Sequence, residues 1–229
     1  MAINKITDVF FDLDHTLWDF SRNSALAFEK IFKINHVQID LTLFLAYYET
    51  INFNYWSLYR HKKIDKETLR FGRLNDTFNA VHFPLDKELV EKLSNDYINH
   101  LTDNNFLYEN AIEILEYLKP KYSLHILSNG FEYIQNKKLK NSNIHHYFST
   151  VTNGESVGVK KPNPLIFNYA LQQAKTTANK SIMIGDGYEP DIQGALGVGM
   201  DVIFFDEFNS HETLGIKKIN NLIELKTLL

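Results

Sequence analysis

The chain has no cysteine among its 229 residues, so neither disulfides nor thiolate chemistry can operate, and cysteine usage leaves the redox compartment open. It lacks any apolar stretch long enough to span a bilayer. Its first residues, MAINKITDVFFDLD, run straight into a strand-like segment without the hydrophobic region of a signal peptide, so cytoplasm is the expected location. Strong net charge is missing as well. A formal charge of −4, from 24 basic and 28 acidic residues, gives no electrostatic reason to bind a nucleic-acid polymer or an acidic membrane, although small nucleotides remain compatible. The KKLK stretch at 137–140 reads as a solvated helix face, and no internal repeat or low-complexity segment is present. What the chain does have is 44% hydrophobic and 14% aromatic residues, ample for a substantial core in one or two domains.

The most informative segment is FFDLDHTL at 10–17. Val9, Phe10 and Phe11 suit a strand buried on both faces, and residues two apart on an extended chain project to the same side, so Asp12 and Asp14 are expected to point together where the strand ends. Two adjacent carboxylates repel unless one holds a proton or a cation lies between them. Chemistry that uses both states is phosphoryl transfer, with Asp12 as nucleophile forming an aspartyl phosphate and Asp14 as the acid/base. Alone, a D-x-D is also an ordinary strand-end turn. Nor does the pair suffice in magnitude: phosphate monoester hydrolysis needs up to about 10²¹-fold acceleration, and a positioned acid/base supplies roughly 10² to 10⁴. The remainder calls for a divalent metal, fixed donors for the phosphoryl oxygens and a cation against the growing charge.

Downstream segments offer each of these. In YSLHILSNG at 122–130 an apolar run ends at Ser128, whose hydroxyl suits a phosphoryl oxygen, and the backbone N–H of Asn129 can join it, with Gly130 allowing a sharp turn; Ser-Asn-Gly is equally a common turn. In GVKKPNPLIF at 158–167, Lys161 precedes Pro162, which restricts the lysine backbone and can open a helix. Lys160 is the rival, and a solvated basic loop is the plainer alternative. In SIMIGDGYEPD at 181–191, Asp186 ends another strand-like run. Hard oxygen ligands with no Cys and no nearby His favour magnesium there, with Asp191 either a further partner or the cap of a helix beginning near Ile192.

Between Trp18 and about residue 103 the pattern is helical. Phe44, Tyr48, Ile51, Tyr55 and Leu58 form one stripe, Phe71, Leu74, Phe78 and Val81 a second, and Val90, Leu93, Tyr97 and Leu101 a third. The remainder alternates strand and helix, with strands at 122–127, 149–152, 181–185 and 201–205 and helices at 131–141, 163–174 and 191–197. Such alternation implies an α/β fold with a parallel sheet, whose carboxyl edge forms the ligand crevice. His145 and His146 are adjacent and diverge, which favours a loop over a metal pair.

The ordered set D-x-D, strand-S-N-G, K-P, strand-G-D-x-x-x-x-D resembles the haloacid dehalogenase superfamily, with matches at Asp12 and Asp14, Ser128, Lys161, and Asp186 with Asp191. The segments YENAIEILEYLK and IFNYALQQA extend the resemblance over essentially the whole length. LSNGF and VGVKKPN followed by IFNYAL look like the noncanonical pyrimidine 5'-nucleotidases. The resemblance implies a Rossmann-like core at 1–17 and 104–229 and a helical cap at 18–103 that closes over the site. It also implies a magnesium-dependent phosphatase acting through an aspartyl phosphate on small monoesters, most naturally pyrimidine nucleoside monophosphates. Asp12, Asp14 and Lys161 would be catalytic, Ser128, Asn129 and Lys161 would bind phosphate, and Asp12, Asp14, Asp186 and Asp191 would hold the metal. Trp18, Phe20, Trp56 and Arg73 are candidates to face the substrate. Alternatives are a sugar-phosphate phosphatase, a phosphoglucomutase-type enzyme and a catalytically silent interaction protein of the same fold. One departure stands at Gly187, where the family more often carries Ser, Thr or Asn.

Overall fold

The computed structural model describes residues 6–209 and 215–229. They fall into two compact units, Met1–Phe20 with Asn105–Leu229, and Ser21–Asn104.

The first unit is built on a six-stranded sheet: β1 (Asp8–Phe11), β2 (Ser123–Ser128), β3 (Thr150–Asn153), β4 (Ser181–Gly185), β5 (Asp201–Phe205) and β6 (Lys217–Ile219). The order is β3-β2-β1-β4-β5-β6, and every pairing is parallel. In such α/β sheets both faces are covered by helices, which is why β1 and β4 carry the apolar runs 9–11 and 182–184 and are buried at every position. The covering helices are α5 (Ala111–Leu118), α6 (Glu132–Asn141), α7 (Gly154–Val157), α8 (Pro164–Ala174), α9 (Gly194–Leu196) and α10 (Leu225–Leu228). On one face Phe10, Met183 and Phe204 pack with Ile166, Phe167 and Ile192. Because β1 lies between β2 and β4, its carboxyl end is flanked by theirs. The pairing with β4 also runs one residue past the strand, with Asp12 N–H donating to Ile184 O at 2.9 Å.

At the amino edge of the same sheet, Asp8 is buried but fully met: it accepts from Thr7 Oγ1 (2.6 Å) and Thr176 Oγ1 (2.7 Å) and lies 3.1 Å from His125 Nε2. Burial lowers the His125 pKa below its ordinary 6.5 against the pull of Asp8, which favours the neutral ring; its Nδ1 lies 2.8 Å from Thr150 Oγ1.

The second unit is all helical, with α2 (Leu41–Arg60), α3 (Lys66–Ala80) and α4 (Lys87–His100) following most of α1 (Phe20–Ile34). Asp40, Asp65 and Asp86 cap α2, α3 and α4, each accepting a first-turn backbone N–H that has no partner within its helix. The core is aromatic. Phe28 has ring centroids of Phe44, Tyr48 and Tyr97 within 4.9 Å, and Phe32 and Phe78 extend the cluster. The buried stripe of α2 is Phe44, Tyr48, Asn52 and Tyr59 rather than the expected run through Ile51, Tyr55 and Leu58, and the inward Asn52 is met by Arg73. Arg73 is not a free substrate reader: it is 2% exposed, donates to Asn52 Oδ1 at 2.9 Å and lies over the Tyr97 ring.

Two local expectations change. Pro162 does not open a helix; Asn163 caps α8 and Pro164 occupies its first turn, where a missing N–H costs nothing. The segment expected to be a helix at 191–197 is a π-helical turn, Tyr188–Gln193, followed by the short α9.

Removing the central ring tests how far the helical unit depends on its aromatic cluster. Phe28→Ala is expected to cost about 3–5 kcal/mol, read as a lowered midpoint in urea unfolding followed by circular dichroism.

Candidate active site

The residues singled out in the sequence arrive at one rim because each ends or follows a parallel strand: Asp12 follows β1, Ser128 ends β2 and Asp186 follows β4. Lys161 reaches the rim from the loop between α7 and α8. Asn129, next to Ser128, brackets that loop, accepting from Lys161 N–H at 2.7 Å and donating to Lys161 O at 2.9 Å. The amide side chain of the second motif therefore fixes the backbone of the third. Lys161, rather than Lys160, carries the ammonium that matters: it lies 2.9 Å from Asp12 Oδ1 and 2.7 Å from Asp191 Oδ1, and donates to Leu127 O at 2.6 Å. Its side chain is 1% exposed.

Asp12, Asp186 and Asp191 each offer a carboxylate oxygen within 4.8 Å of the others'. Three carboxylates so close in low dielectric face one ammonium. Burial is the largest influence on each acid and raises its pKa, Asp12 and Asp186 to about 6. For Asp12, Lys161 opposes that rise while Asp191 and Asp14 add to it; for Asp186, His15 opposes and Asp12 adds. Burial alone would lower the Lys161 pKa, but Asp12 and Asp191 outweigh it and raise it.

Asp12 Oδ1 and Asp191 Oδ1 sit at ion-pair distance from Lys161 but lack hydrogen-bond alignment, and neither has another partner among the described residues. Three clustered carboxylates against one ammonium leave an excess of negative charge in an oxygen-only donor set, which fits a hard divalent cation such as magnesium that takes one or two carboxylates and keeps waters.

Thr16 joins the first and fourth segments. Its hydroxyl donates to Asp186 Oδ1 at 3.0 Å and accepts Asp186 N–H at 3.1 Å. Asp191 is not a helix cap. It lies within the π-helical turn, where Ile192 N–H reaches Gly187 O, and its Oδ2 accepts Gly187 N–H at 2.9 Å. The glycines around it are required by space: a Cβ on Gly185 would lie 2.4 Å from Asp191 Oδ2, and one on Gly187 would lie 2.4 Å from Pro190 Cγ. The departure at Gly187 is thus matched to Pro190 in this chain.

The Asp14 side chain lies outside the cluster formed by Asp12, Asp186 and Asp191. Its Oδ2 accepts from Gln135 Nε2 at 2.9 Å, and its Oδ1 forms an ion pair with Lys138. Lys138 is not on a solvated face either; it is 2% exposed, with its ammonium 4.1 Å from the Trp18 ring centroid. Trp18 is correspondingly buried, with its ring edge-on to Phe20. Gln135 Nε2 also donates to Ser128 Oγ at 2.6 Å. Ser128 Oγ accepts this and Gly130 N–H, leaving its own proton for another acceptor. Thr16, Gln135 and Lys138 were missed as site residues. A signal did exist for Lys138, which shares a stripe with Phe131, Ile134 and Gln135, where a solvated charge has no place.

A family model described as "haloacid dehalogenase-like hydrolase" matches residues 8–199, and the chain belongs to that family. Within it the chain is a phosphatase, a phosphoric monoester hydrolase. Pyrimidine 5'-nucleotidase PynA of Streptococcus pneumoniae is 32% identical over 200 residues, covering 86% of this chain and 83% of its own. The glyceraldehyde 3-phosphate phosphatase of Methanothermobacter thermautotrophicus is 31% identical, covering 96% of this chain and 98% of its own. The crystal structure of the HAD-hydrolase YfnB from Bacillus subtilis, bound to magnesium, has a TM-score of 0.88 at 25% identity and covers 98% of this chain and 99% of its own.

The raised acids predict a stability effect with a definite sign. Asp186 is held at about 6 in the folded protein against an ordinary 3.8, so its proton favours the fold; that contribution is full below about 3.8 and lost as pH rises through 6. Asp186→Asn removes the penalty. The metal-free variant is expected to melt above metal-free wild type at pH 8, by at most about 3 kcal/mol, and the gap should close towards pH 4. A gap that does not change with pH would contradict this account.

Proposed function

We propose that this phosphatase hydrolyses small phosphate monoesters through an aspartyl phosphate on Asp12, with magnesium as its cofactor, and that its substrates are pyrimidine nucleoside 5'-monophosphates. The observation carrying this reading is the buried ammonium of Lys161 between Asp12 and Asp191, with Asp186 in the same cluster. Lys161 pairs with the carboxylate nucleophile, and the surplus negative charge of the acids calls for a cation, whose binding would let a phosphoryl dianion approach.

In the first half-reaction an Asp12 oxygen attacks phosphorus as the bond to the leaving oxygen breaks, and Asp14 supplies the proton that oxygen needs. In the second, Asp14 removes a proton from the attacking water, and the Asp12–phosphorus bond breaks to release inorganic phosphate. Ser128 offers its hydroxyl proton, and Asn129 its backbone N–H, to the phosphoryl oxygens. Lys161 offsets the charge gathering on them and keeps Asp12 ionised for attack. Asp12, Asp186 and Asp191 would hold the magnesium, which when bound supplies charge neutralisation at the phosphoryl group. Support for a nucleotide substrate comes from the LSNGF and VGVKKPN segments and from the likeness to PynA. The likeness to the glyceraldehyde 3-phosphate phosphatase favours a second reading, a sugar-phosphate substrate.

Initial rates on a panel of nucleoside monophosphates and sugar phosphates with magnesium present decide between them. The pyrimidine nucleotides are expected to be cleaved fastest; a sugar phosphate exceeding every nucleotide would replace the first reading with the second. Asp12→Asn should abolish turnover while leaving the circular dichroism spectrum unchanged, and near-normal turnover would remove Asp12 as nucleophile. Asp186→Ala should move the magnesium dependence to at least tenfold higher concentration, and an unchanged titration would refute its role.

A further inference from the structure

Two residues on one face of α6 grip the side chain of Asp14 from both sides. Gln135 donates to one oxygen, and Lys138, one helical turn further on, pairs with the other. Both are buried, Gln135 at 1% and Lys138 at 2% exposure. Neither orientation is arbitrary. The two N–H bonds of the Gln135 amide go to Asp14 and to Ser128 Oγ, and reversing the amide would set its oxygen against a carboxylate. The same amide leaves its Oε1 buried without a hydrogen bond, a cost that the fold tolerates. Gly130 permits the approach, since a Cβ there would lie 2.3 Å from Gln135 Nε2. The Lys138 ammonium is held in turn by the Trp18 and Phe20 rings, at 4.1 and 5.2 Å from their centroids. Trp18 also closes the loop that carries Asp14, with His15 N–H donating to Trp18 O at 3.0 Å and Trp18 N–H to Leu13 O at 2.8 Å.

We propose that Lys138 and Gln135 are positioning residues for the reaction: together they fix the rotamer of Asp14, so that its remaining lone pairs face the oxygen leaving phosphorus and then the incoming water. This rests on the reading of Asp14 as the acid/base. A carboxylate has about four lone-pair sites, and the clamp occupies one on each oxygen, leaving a site for the proton in transit. That proton passes from Asp14 to the leaving oxygen as the oxygen–phosphorus bond breaks and the bond to Asp12 forms. It is replaced from the attacking water as that water's oxygen bonds to phosphorus and the Asp12 oxygen–phosphorus bond breaks. A misplacement of about 1 Å in such a group costs up to about 10²-fold. Lys138 acts on the proton transfer through its ion pair with Asp14, whereas Gln135 also donates to the phosphate-binding Ser128, so its loss adds an effect common to every substrate.

The test compares kcat/KM, which reports phosphoryl transfer to Asp12, for uridine 5'-monophosphate and p-nitrophenyl phosphate in wild type, Lys138→Met, Gln135→Met and Asp14→Asn. Nitrophenolate departs readily without a proton, whereas a ribose alkoxide does not. Lys138→Met is expected to lose about 10- to 100-fold on uridine 5'-monophosphate and less than threefold on p-nitrophenyl phosphate, and Gln135→Met, which also frees Ser128, to lose on both but about tenfold more on the nucleotide. Lys138→Arg, which keeps a cation beside Asp14, should recover part of the loss. If wild type cleaves ribose 5-phosphate rather than the nucleotide, that alkyl ester takes its place. Equal losses on both substrates, or none, in the two methionine variants would overturn the clamp, provided Asp14→Asn shows the selective loss. Should Asp14→Asn itself fall equally on both, the acid/base reading fails instead, and the clamp with it. Melting curves identify a variant that fails to fold, in which case the other methionine variant carries the result.

Discussion

One buried ammonium stands among three buried carboxylates, and the local architecture of the site is arranged around that imbalance. Lys161 cannot leave: its backbone is bracketed by Asn129, and its Nζ is anchored to Leu127 O. The acids cannot spread apart either, since Asp12 is pinned to β4 by its own N–H, Asp186 is bound through Thr16, and Asp191 is curled back onto Gly187. Burial above all, with the repulsion of neighbouring acids added, raises the pKa values of Asp12, Asp186 and Asp191. The excess negative charge favours uptake of a cation, with which the site would accept a substrate anion, and the sheet provides the rigidity that keeps the acids from relaxing apart.

The two edges of the sheet show how local this strategy is. At the amino edge, Asp8 is also a buried acid on β1, yet two hydroxyls and a histidine meet it. Four residues further along the chain, Asp12 keeps an oxygen without an aligned donor. Burial of an acid is therefore not itself the mark of a site. The distinction is whether the neighbourhood completes its hydrogen bonding, and only the carboxyl edge leaves that incomplete among these acids.

Much of this was legible in the sequence because it is written in short range. Strands 181–185 and 201–205 and the helix at 164–174 announce themselves through apolar runs and turn residues, and chemical side chains at strand ends follow from the geometry of parallel sheets. The engagement of Asp14 by Gln135 and Lys138 was not legible, because which way a side chain turns after a strand ends depends on what stands opposite. Here that is α6, more than a hundred residues further on. Lys138 was misjudged for a related reason: a run of lysines looks solvated until one of them is seen to lie on the apolar stripe of its helix. Arg73 shows the converse, a guanidinium that looks available from composition but is consumed by Asn52 and the aromatic rings of its own unit. The π-helical turn was invisible because it has no periodicity of its own and follows from the demand that Asp191 fold back towards Lys161.

Gly187 and Pro190 carry an implication for how such a loop can change over time. A side chain at residue 187 would strike the ring of Pro190 before it reached any hydrogen-bonding partner, and its Cβ would also crowd Asp191 Oδ2 at 2.9 Å. A hydroxyl or amide can therefore be introduced there only after the proline has been replaced, and losing the proline first releases a turn that orients an acid of the site. The two positions form an epistatic pair in which the order of replacement matters, so divergence through this loop is expected to follow a narrow path rather than free drift at either position.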